Sequence, residues 1–223
     1  MDHVITFDLS STLIGITYGV VEDKVITSVR TEGIVPRKPD GKYYGYTTKK
    51  PKKIGRGYPA YLLPGEHHIS KAEADRRATH IKQDAHRRLL LHIGEDIGDR
   101  IDGFAPTRLF IERNESYNGV LTTKLLAEIA GGLFFYSGIR RIPFEDLNVS
   151  KVRKTVRDTI PLARSERALG DGTLALETKV EIKERLRKVY GHMTDFDGMT
   201  TDESDSLALF HHIAMREGWS VVT

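Results

Sequence analysis

The chain contains no cysteine. Disulfides and thiolate metal sites are therefore excluded, and the composition fits a reducing compartment. No apolar run approaches the roughly 18 residues of a membrane-spanning helix, and the first residues enter a strand-like segment without a charged-then-apolar leader. Internal repeats and low-complexity tracts are absent too. Together these absences lead to the expectation of a cytoplasmic protein with no membrane partner. What is present is ordinary globular material: 223 residues, 39% apolar and 29% charged, enough to bury a substantial core. The net charge is +3, from 34 Lys and Arg against 31 acids, and the pI is near 9.0. With so small a total, local clusters of charge decide what the chain binds.

Four acids stand where an uncharged residue would pack better. Asp8 ends the apolar run Val4-Ile5-Thr6-Phe7, Glu112 ends Arg108-Leu109-Phe110-Ile111, and Asp202 and Asp205 open an apolar helical segment three residues apart. A buried carboxylate is costly to desolvate unless a positive charge meets it, and no Lys or Arg neighbours Asp8 in sequence. Carboxylates gathered from distant parts of a chain are a usual way to hold Mg²⁺ or Mn²⁺, hard cations that prefer oxygen. Two such ions about 4 Å apart would activate water and stabilise the leaving oxygen of a phosphodiester. The pattern points to metal-dependent phosphoryl transfer. An alternative stays open for Asp202: with Glu203 it lies in a first helical turn, where acids stabilise the dipole, and Thr200-Thr201-Asp202-Glu203 fits a capping box.

Along the chain, residues 3–9, 13–21 and 24–34 read as three strands in an antiparallel meander. Residues 36–68 lose all periodicity and are rich in Pro, Gly, Tyr and Lys. Ser70-Lys71-Ala72-Glu73 is a capping-box signature for a helix ending near Gly94 to Gly98. A fourth strand follows at 107–112, a helix at 120–136 and a fifth strand from Arg140 to Phe144. A short helix over Val149–Ile160, a loop at 161–175 and two helices at 176–190 and 201–217 complete the reading. This order is that of the ribonuclease H-like α/β fold, a mixed five-stranded sheet with helices on both faces. It implies a single domain over 1–223 with an insertion at about 36–68.

Phe7-Asp8-Leu9-Ser10-Ser11-Thr12-Leu13-Ile14-Gly15 resembles the first-strand motif of RuvC-type Holliday junction resolvases. Phe110-Ile111-Glu112 and the helix from Leu121 to Gly132 resemble the second acidic site of that family and the helix after it. Asp202-Glu203-Ser204-Asp205-Ser206-Leu207-Ala208 resembles its closing D-x-x-D-A-L-A helix. Pro143-Phe144-Glu145 with Val152-Arg153-Lys154-Thr155-Val156 is similar to its basic segment, and Glu177-Thr178-Lys179 to a second lysine site. The resemblance covers most of 1–34 and 107–217. It departs at Leu9-Ser10, where the family usually has Pro-Gly, and at the wedge aromatic, whose nearest counterpart is Tyr117. It implies a divergent, phage-type homodimer that resolves four-way and other branched DNA junctions by paired symmetric nicks leaving 5′-phosphates. Asp8, Glu112, Asp202 and Asp205 would be the catalytic metal ligands, with Mg²⁺ as cofactor and Mn²⁺ able to substitute. Arg153 or Lys154, and Lys179, would touch the scissile strand.

Further basic residues carry two readings. Between Arg37 and Gly57 stand eight basic residues, Lys49, Lys50, Lys52 and Lys53 among them, against the single acid Asp40, with tyrosines interleaved. DNA contact by charge and stacking is the preferred reading; a loop covering a dimer contact is the other. From Arg185 onward the basic residues of the 176–190 helix are interspersed with Glu and read as a solvated face. The pairs His67-His68 and His211-His212 are not assigned as ligands. Rival functions are a nuclease of the same fold acting on other DNA or on RNA–DNA hybrids, a non-catalytic DNA-binding protein, and an actin-like phosphotransferase. The last would need a Gly-rich adenosine loop and a much longer chain.

Overall fold

Alternation along the first strand sends its residues to two faces, and both are buried. β1 (Asp2–Asp8) is central, with Val4, Ile5 and Phe7 fully buried. β2 (Ile14–Glu22) pairs with it antiparallel and β3 (Val25–Ile34) continues the meander. The structure is a computed structural model that describes residues 1–10, 13–35, 57–113, 120–162 and 174–221. After β3 come α1 (Lys71–Phe104), β4 (Arg108–Arg113), α2 (Val120–Arg140), β5 (Phe144–Asn148), α3 (Val149–Thr159), α4 (Leu174–Tyr190), α5 (Thr201–Glu217) and β6 (Ser220–Val221). The sheet order is β5-β4-β1-β2-β3-β6. β4 and β5 run parallel to β1, so the sheet is mixed, as expected. The two-residue β6 makes it six-stranded; it pairs parallel with Val25 and Ile26, a contact too short to leave a sequence pattern.

The chain packs as two units: Met1–Val35 with Gly94–Thr223, and Pro36–Ile93. In the first, α3, α4 and α5 cover one face of the sheet. Phe110, Leu147, Val152, Val156, Ile182, Tyr190, Phe210 and Ile213 form its core. Four fully buried α5 side chains (Leu207, Leu209, Phe210 and Ile213) stabilise this seat by roughly 6–12 kcal/mol, an upper estimate from burial. The other face carries Ile5, Phe7, Ile14, Ile16 and Leu109. There Phe104 at the end of α1 meets Tyr18 edge-on, and Phe134 of α2 meets Phe144. In the second unit, Arg77 binds both Glu66 and Glu73 and donates to the Tyr61 carbonyl, clamping the turn at Pro59–Tyr61 onto α1. Among the described residues no helix is long and apolar enough to cross a membrane.

Several boundaries differ from the sequence reading. α1 does not stop at Gly94 to Gly98. It continues to Phe104, where Ala105 turns left-handed (φ 49°), because Asp96 and Glu32 hold Arg100 and Asp102 meets Tyr136 and Arg140 of α2. That second contact also carries α2 to Arg140. The fifth strand therefore begins four residues later than expected, at Phe144, after Arg141 has turned left-handed (φ 57°). Ser70 caps α1 through the Glu73 N–H (3.2 Å), while the Glu73 carboxylate pairs with Arg76 and Arg77. Arg185 is buried, not solvated: its guanidinium donates to the Ile160 carbonyl at the end of α3. The loop expected at 161–175 falls almost wholly outside the described residues, as do Tyr117 and residues 36–56.

Candidate active site

Asp8 is the last residue of β1, pairs with Gly15 of β2, and stands one position past the Phe7–Ile111 pair with β4. That parallel register brings Glu112 beside it. The two carboxyls meet within hydrogen-bonding reach of each other. Burial pushes the Asp8 carboxyl well above its usual range, and the Glu112, Asp205 and Asp202 charges push it further. Burial also raises Glu112; the Asp8 hydrogen bond opposes this, the Asp205 charge adds to it, and Arg153 and Lys179 offset part of it. Four acids drawn from β1, β4 and α5 thus act on one another electrostatically. The fold brings these four acids into one neighbourhood.

α5 reaches this place for local reasons. Thr200 and Glu203 form a complete capping box, so the cap role belongs to Glu203 and leaves the Asp202 carboxylate to face the cluster. Asp202 meets Ser10 Oγ at 3.3 Å and Lys179 Nζ at 3.6 Å. Asp205, one turn on, is only 4% exposed; its Oδ2 takes Lys179 Nζ at 3.1 Å and Arg153 Nη2 at 3.2 Å. Beneath it, the Thr6 hydroxyl donates to the Ser206 carbonyl (2.7 Å), and the Thr17 and Ser206 hydroxyls bond at 2.8 Å. These buried bonds fix the helix against β1 and β2. Gly15 completes the seat: a methyl on it would lie 2.5 Å from the Asp202 carbonyl carbon and 2.8 Å from the Glu203 nitrogen.

α3 and α4 deliver the two cations. Asn148 caps α3 through the Ser150 and Lys151 N–H groups, and Val152 and Val156 bury its inner face, which leaves Arg153 pointing at Asp205. On α4, Lys183 donates to the Met199 carbonyl at 2.6 Å, tying that helix to the segment that leads into α5. Burial by itself would lower the Lys179 ammonium, but Asp205, Asp202 and Asp8 outweigh it and hold it above its ordinary value. Lys154, the other residue of the expected pair, is exposed on the next position of α3. Lys49, Lys50, Lys52 and Lys53 lie outside the described residues. His212 bonds Thr155 (2.7 Å), and the buried His211 bonds Thr159 (2.8 Å) and Tyr190 (3.1 Å); both serve the α3–α4–α5 packing.

The donor set is all oxygen, half-buried or buried, and crowded with like charge. That chemistry fits a hard divalent cation. As the side chains stand, no three Asp, Glu or His groups among the described residues surround one point: Asp8 faces Glu112, while Asp202 and Asp205 face Lys179 and Arg153. Sequence reasoning missed Ser10, Gly15 and the Thr6–Thr17–Ser206 group. The alternation Val4-Thr6-Asp8 carried part of the signal, because it puts a hydroxyl on the same face as the acid.

No family model matches the chain, and no curated protein matches it by sequence. Solved structures do match it by fold. RuvC of Thermus thermophilus in complex with Holliday junction substrate aligns over 97% of this chain and 96% of that one, at 13% identity and TM-score 0.55. A second RuvC structure from Thermus thermophilus covers the same shares at 13% identity and TM-score 0.53. The yeast mitochondrial Holliday junction resolvase Ydc2 aligns at 11% identity over 97% of this chain and 81% of that one, with TM-score 0.49. The chain has the ribonuclease H-like fold seen in RuvC.

Proposed function

We propose that this chain is a metal-dependent, structure-selective endonuclease of RuvC type that resolves four-way and other branched DNA junctions by paired symmetric nicks. The observation that carries the reading is the gathering of Asp8, Glu112, Asp202 and Asp205 from three elements of a RuvC-like fold, with Lys179 and Arg153 beside them. Fold alone hosts many activities; the acids and cations at this place supply the chemistry. The four carboxylates would hold Mg²⁺, or Mn²⁺ in its place, and the bound cation supplies charge neutralisation and Lewis acidity at the phosphate. Asp8 and Glu112, at the strand ends, place carboxyl oxygens at the buried side of the site. Arg153 and Lys179 offer guanidinium and ammonium donors to the charge that develops on the scissile phosphate.

Two incisions related by symmetry call for a two-fold dimer. Phe134, Phe135 and Ile139 of α2 are each more than 60% exposed, an apolar group that supports a protein contact. In this reading the basic residues between Arg37 and Arg56, Lys49, Lys50, Lys52 and Lys53 included, hold the duplex arms by neutralising their phosphates. The test is to incubate the pure protein with Mg²⁺ and labelled four-way, three-way, hybrid and linear duplexes, map the cuts, and measure the mass by sedimentation. Paired nicks in the four-way junction by a particle of twice 25.2 kDa are expected. Equal cutting of linear duplex by a monomer would overturn the proposal.

A further inference from the structure

We propose that Lys179 and Arg153 are exchangeable counterions of the acid cluster: they neutralise it in the resting protein, and a divalent cation enters by displacing Lys179. This rests on the reading of the four acids as cation ligands and concerns how the site is loaded. Lys179 touches both of the α5 acids. Its ammonium sits 3.1 Å from Asp205 Oδ2 and 3.6 Å from Asp202 Oδ1. The other Asp202 oxygen receives the Ser10 hydroxyl, and Arg153 shares Asp205 Oδ2 with the lysine. A cation that takes either acid through these oxygens meets the ammonium first.

The same contacts are built to let go. Arg153 approaches Asp205 through one Nη2 atom, short of the two-pronged fork in which an Arg–carboxylate pair is strongest. Its Nε is buried with no hydrogen-bond partner among the described residues. Lys179 keeps 31% of its side chain exposed, so its long stem can carry the ammonium outward to water, or to an arriving phosphate, without repacking the core. Asp205, at 4% exposure, cannot follow it. Leaving the acids unpaired would be costly at that burial, so the exchange has to be concerted: positive charge arrives as the lysine departs. Two consequences follow. Lys179 lowers the affinity of the site for divalent cations, setting the concentration at which it loads. And any phosphate that draws the ammonium out raises that affinity, because coupling between two ligands is reciprocal.

Binding of Mn²⁺ to the full chain without DNA, read from the loss of the free-ion paramagnetic resonance signal, tests this. Lys179→Met is expected to bind Mn²⁺ more tightly than the unaltered protein, on the order of tenfold for removal of a partly screened adjacent charge. Lys179→Arg should stay near the unaltered value, and Arg153→Met should shift in the same direction as Lys179→Met by less. Metal-free, Lys179→Met should melt below the unaltered protein, and saturating Mn²⁺ should close that gap. The proposal is overturned if Lys179→Met binds no more tightly, or if Lys179→Arg tightens as much as Lys179→Met. If Asp8→Asn still abolishes binding in that case, the cation site stands and only the exchange fails. If neither the unaltered protein nor Lys179→Met binds Mn²⁺, the cation reading falls with it.

Discussion

A single methyl group at Gly15 should uncouple the position of the acids from their identity. Gly15 pairs with Asp8 across β1 and β2, and the α5 N-terminus lies directly over it. Its backbone is not left-handed, so alanine is tolerated there conformationally and acts only through space. An added Cβ would overlap the Asp202 carbonyl oxygen, and stand 2.5 Å from its carbon and 2.8 Å from the Glu203 nitrogen. All three atoms are backbone, so no rotamer change relieves the overlap. To restore ordinary carbon–carbon separation the helix start must lift by about 1 Å. Overpacking of this kind costs about 1–3 kcal/mol, which for a chain of this length lowers Tm by roughly 2–12 °C. The effect on chemistry should be larger, since a misplacement of about 1 Å at a reacting centre costs on the order of 100-fold in rate.

The assay is single-turnover cleavage of a four-way junction at saturating protein and Mg²⁺, beside a thermal melt. Gly19→Ala is the control. Its Cβ would press on the Phe210 ring, within 3.0 Å of Cδ2, further along α5 and away from the acids. It should lose stability as Gly15→Ala does while keeping a rate within about threefold of the unaltered protein. A Gly15→Ala protein that melts lower yet cleaves at the unaltered rate would refute the claim that this seat sets the site geometry.

Asp8→Asn relieves the like-charge crowding around Glu112, Asp205 and Asp202, so it should abolish cleavage, leave junction binding intact or tighter, and melt no lower without metal. It should lose the rise of about 5–11 °C expected when the unaltered protein holds a cation at 100 times its Kd; a full Mg²⁺-dependent rise in the variant would remove Asp8 from the ligand set. Changing Lys49, Lys50, Lys52 and Lys53 together to Ala should lower the slope of log affinity against log salt by about 0.9 for each phosphate no longer neutralised, with saturated single-turnover cleavage near normal; an unchanged slope would move that segment away from DNA. His211 is held down to about 4 by burial first and by the charge of His212 second. The folded chain thus refuses a proton that the unfolded chain accepts below about 6.5, so its contribution is full above that pH and is lost as pH falls toward 4. Between pH 7.5 and 4.5 this amounts to roughly 2–3 kcal/mol. Melting curves of His211→Gln, which should fall less steeply with acid, check it.

The elements legible in the sequence are those whose signal is local. Apolar alternation marks β1, β2 and β4, and the Thr200–Glu203 box gives the start and the cap of α5. The errors fall where a partner far along the chain decides. Glycines at 94 and 98 read as a stop, yet α1 runs on to Phe104 because Glu32, 68 residues from Arg100, and Tyr136 of α2 hold its last turns. Arg140 reads as a strand opening; its guanidinium answers to Asp102, which makes it the end of a helix. Arg185 sits among glutamates, as solvated residues do, but the carbonyl that buries it belongs to Ile160. β6 needs the edge of β3, and nothing in Ser220-Val221 announces that edge.

The candidate site divides along the same line. An acid inside an apolar strand is conspicuous wherever it sits, because burying it without compensation is so unfavourable; that is why Asp8 and Glu112 stand out before any geometry. What compensates them is only half visible. Resemblance offers Lys179 and Arg153 as residues for the substrate, whereas their charges already meet Asp205 at 3.1 and 3.2 Å. The residues that hold the acids in register are small or uncharged: Gly15 by having no side chain, Thr6, Thr17 and Ser206 by hydroxyls buried between strand and helix. Such residues have no period and no charge to betray them. Their role exists only once β2 and α5, almost two hundred residues apart, have packed together, and it is there that the difference between four acids in a sequence and four acids at a site is made.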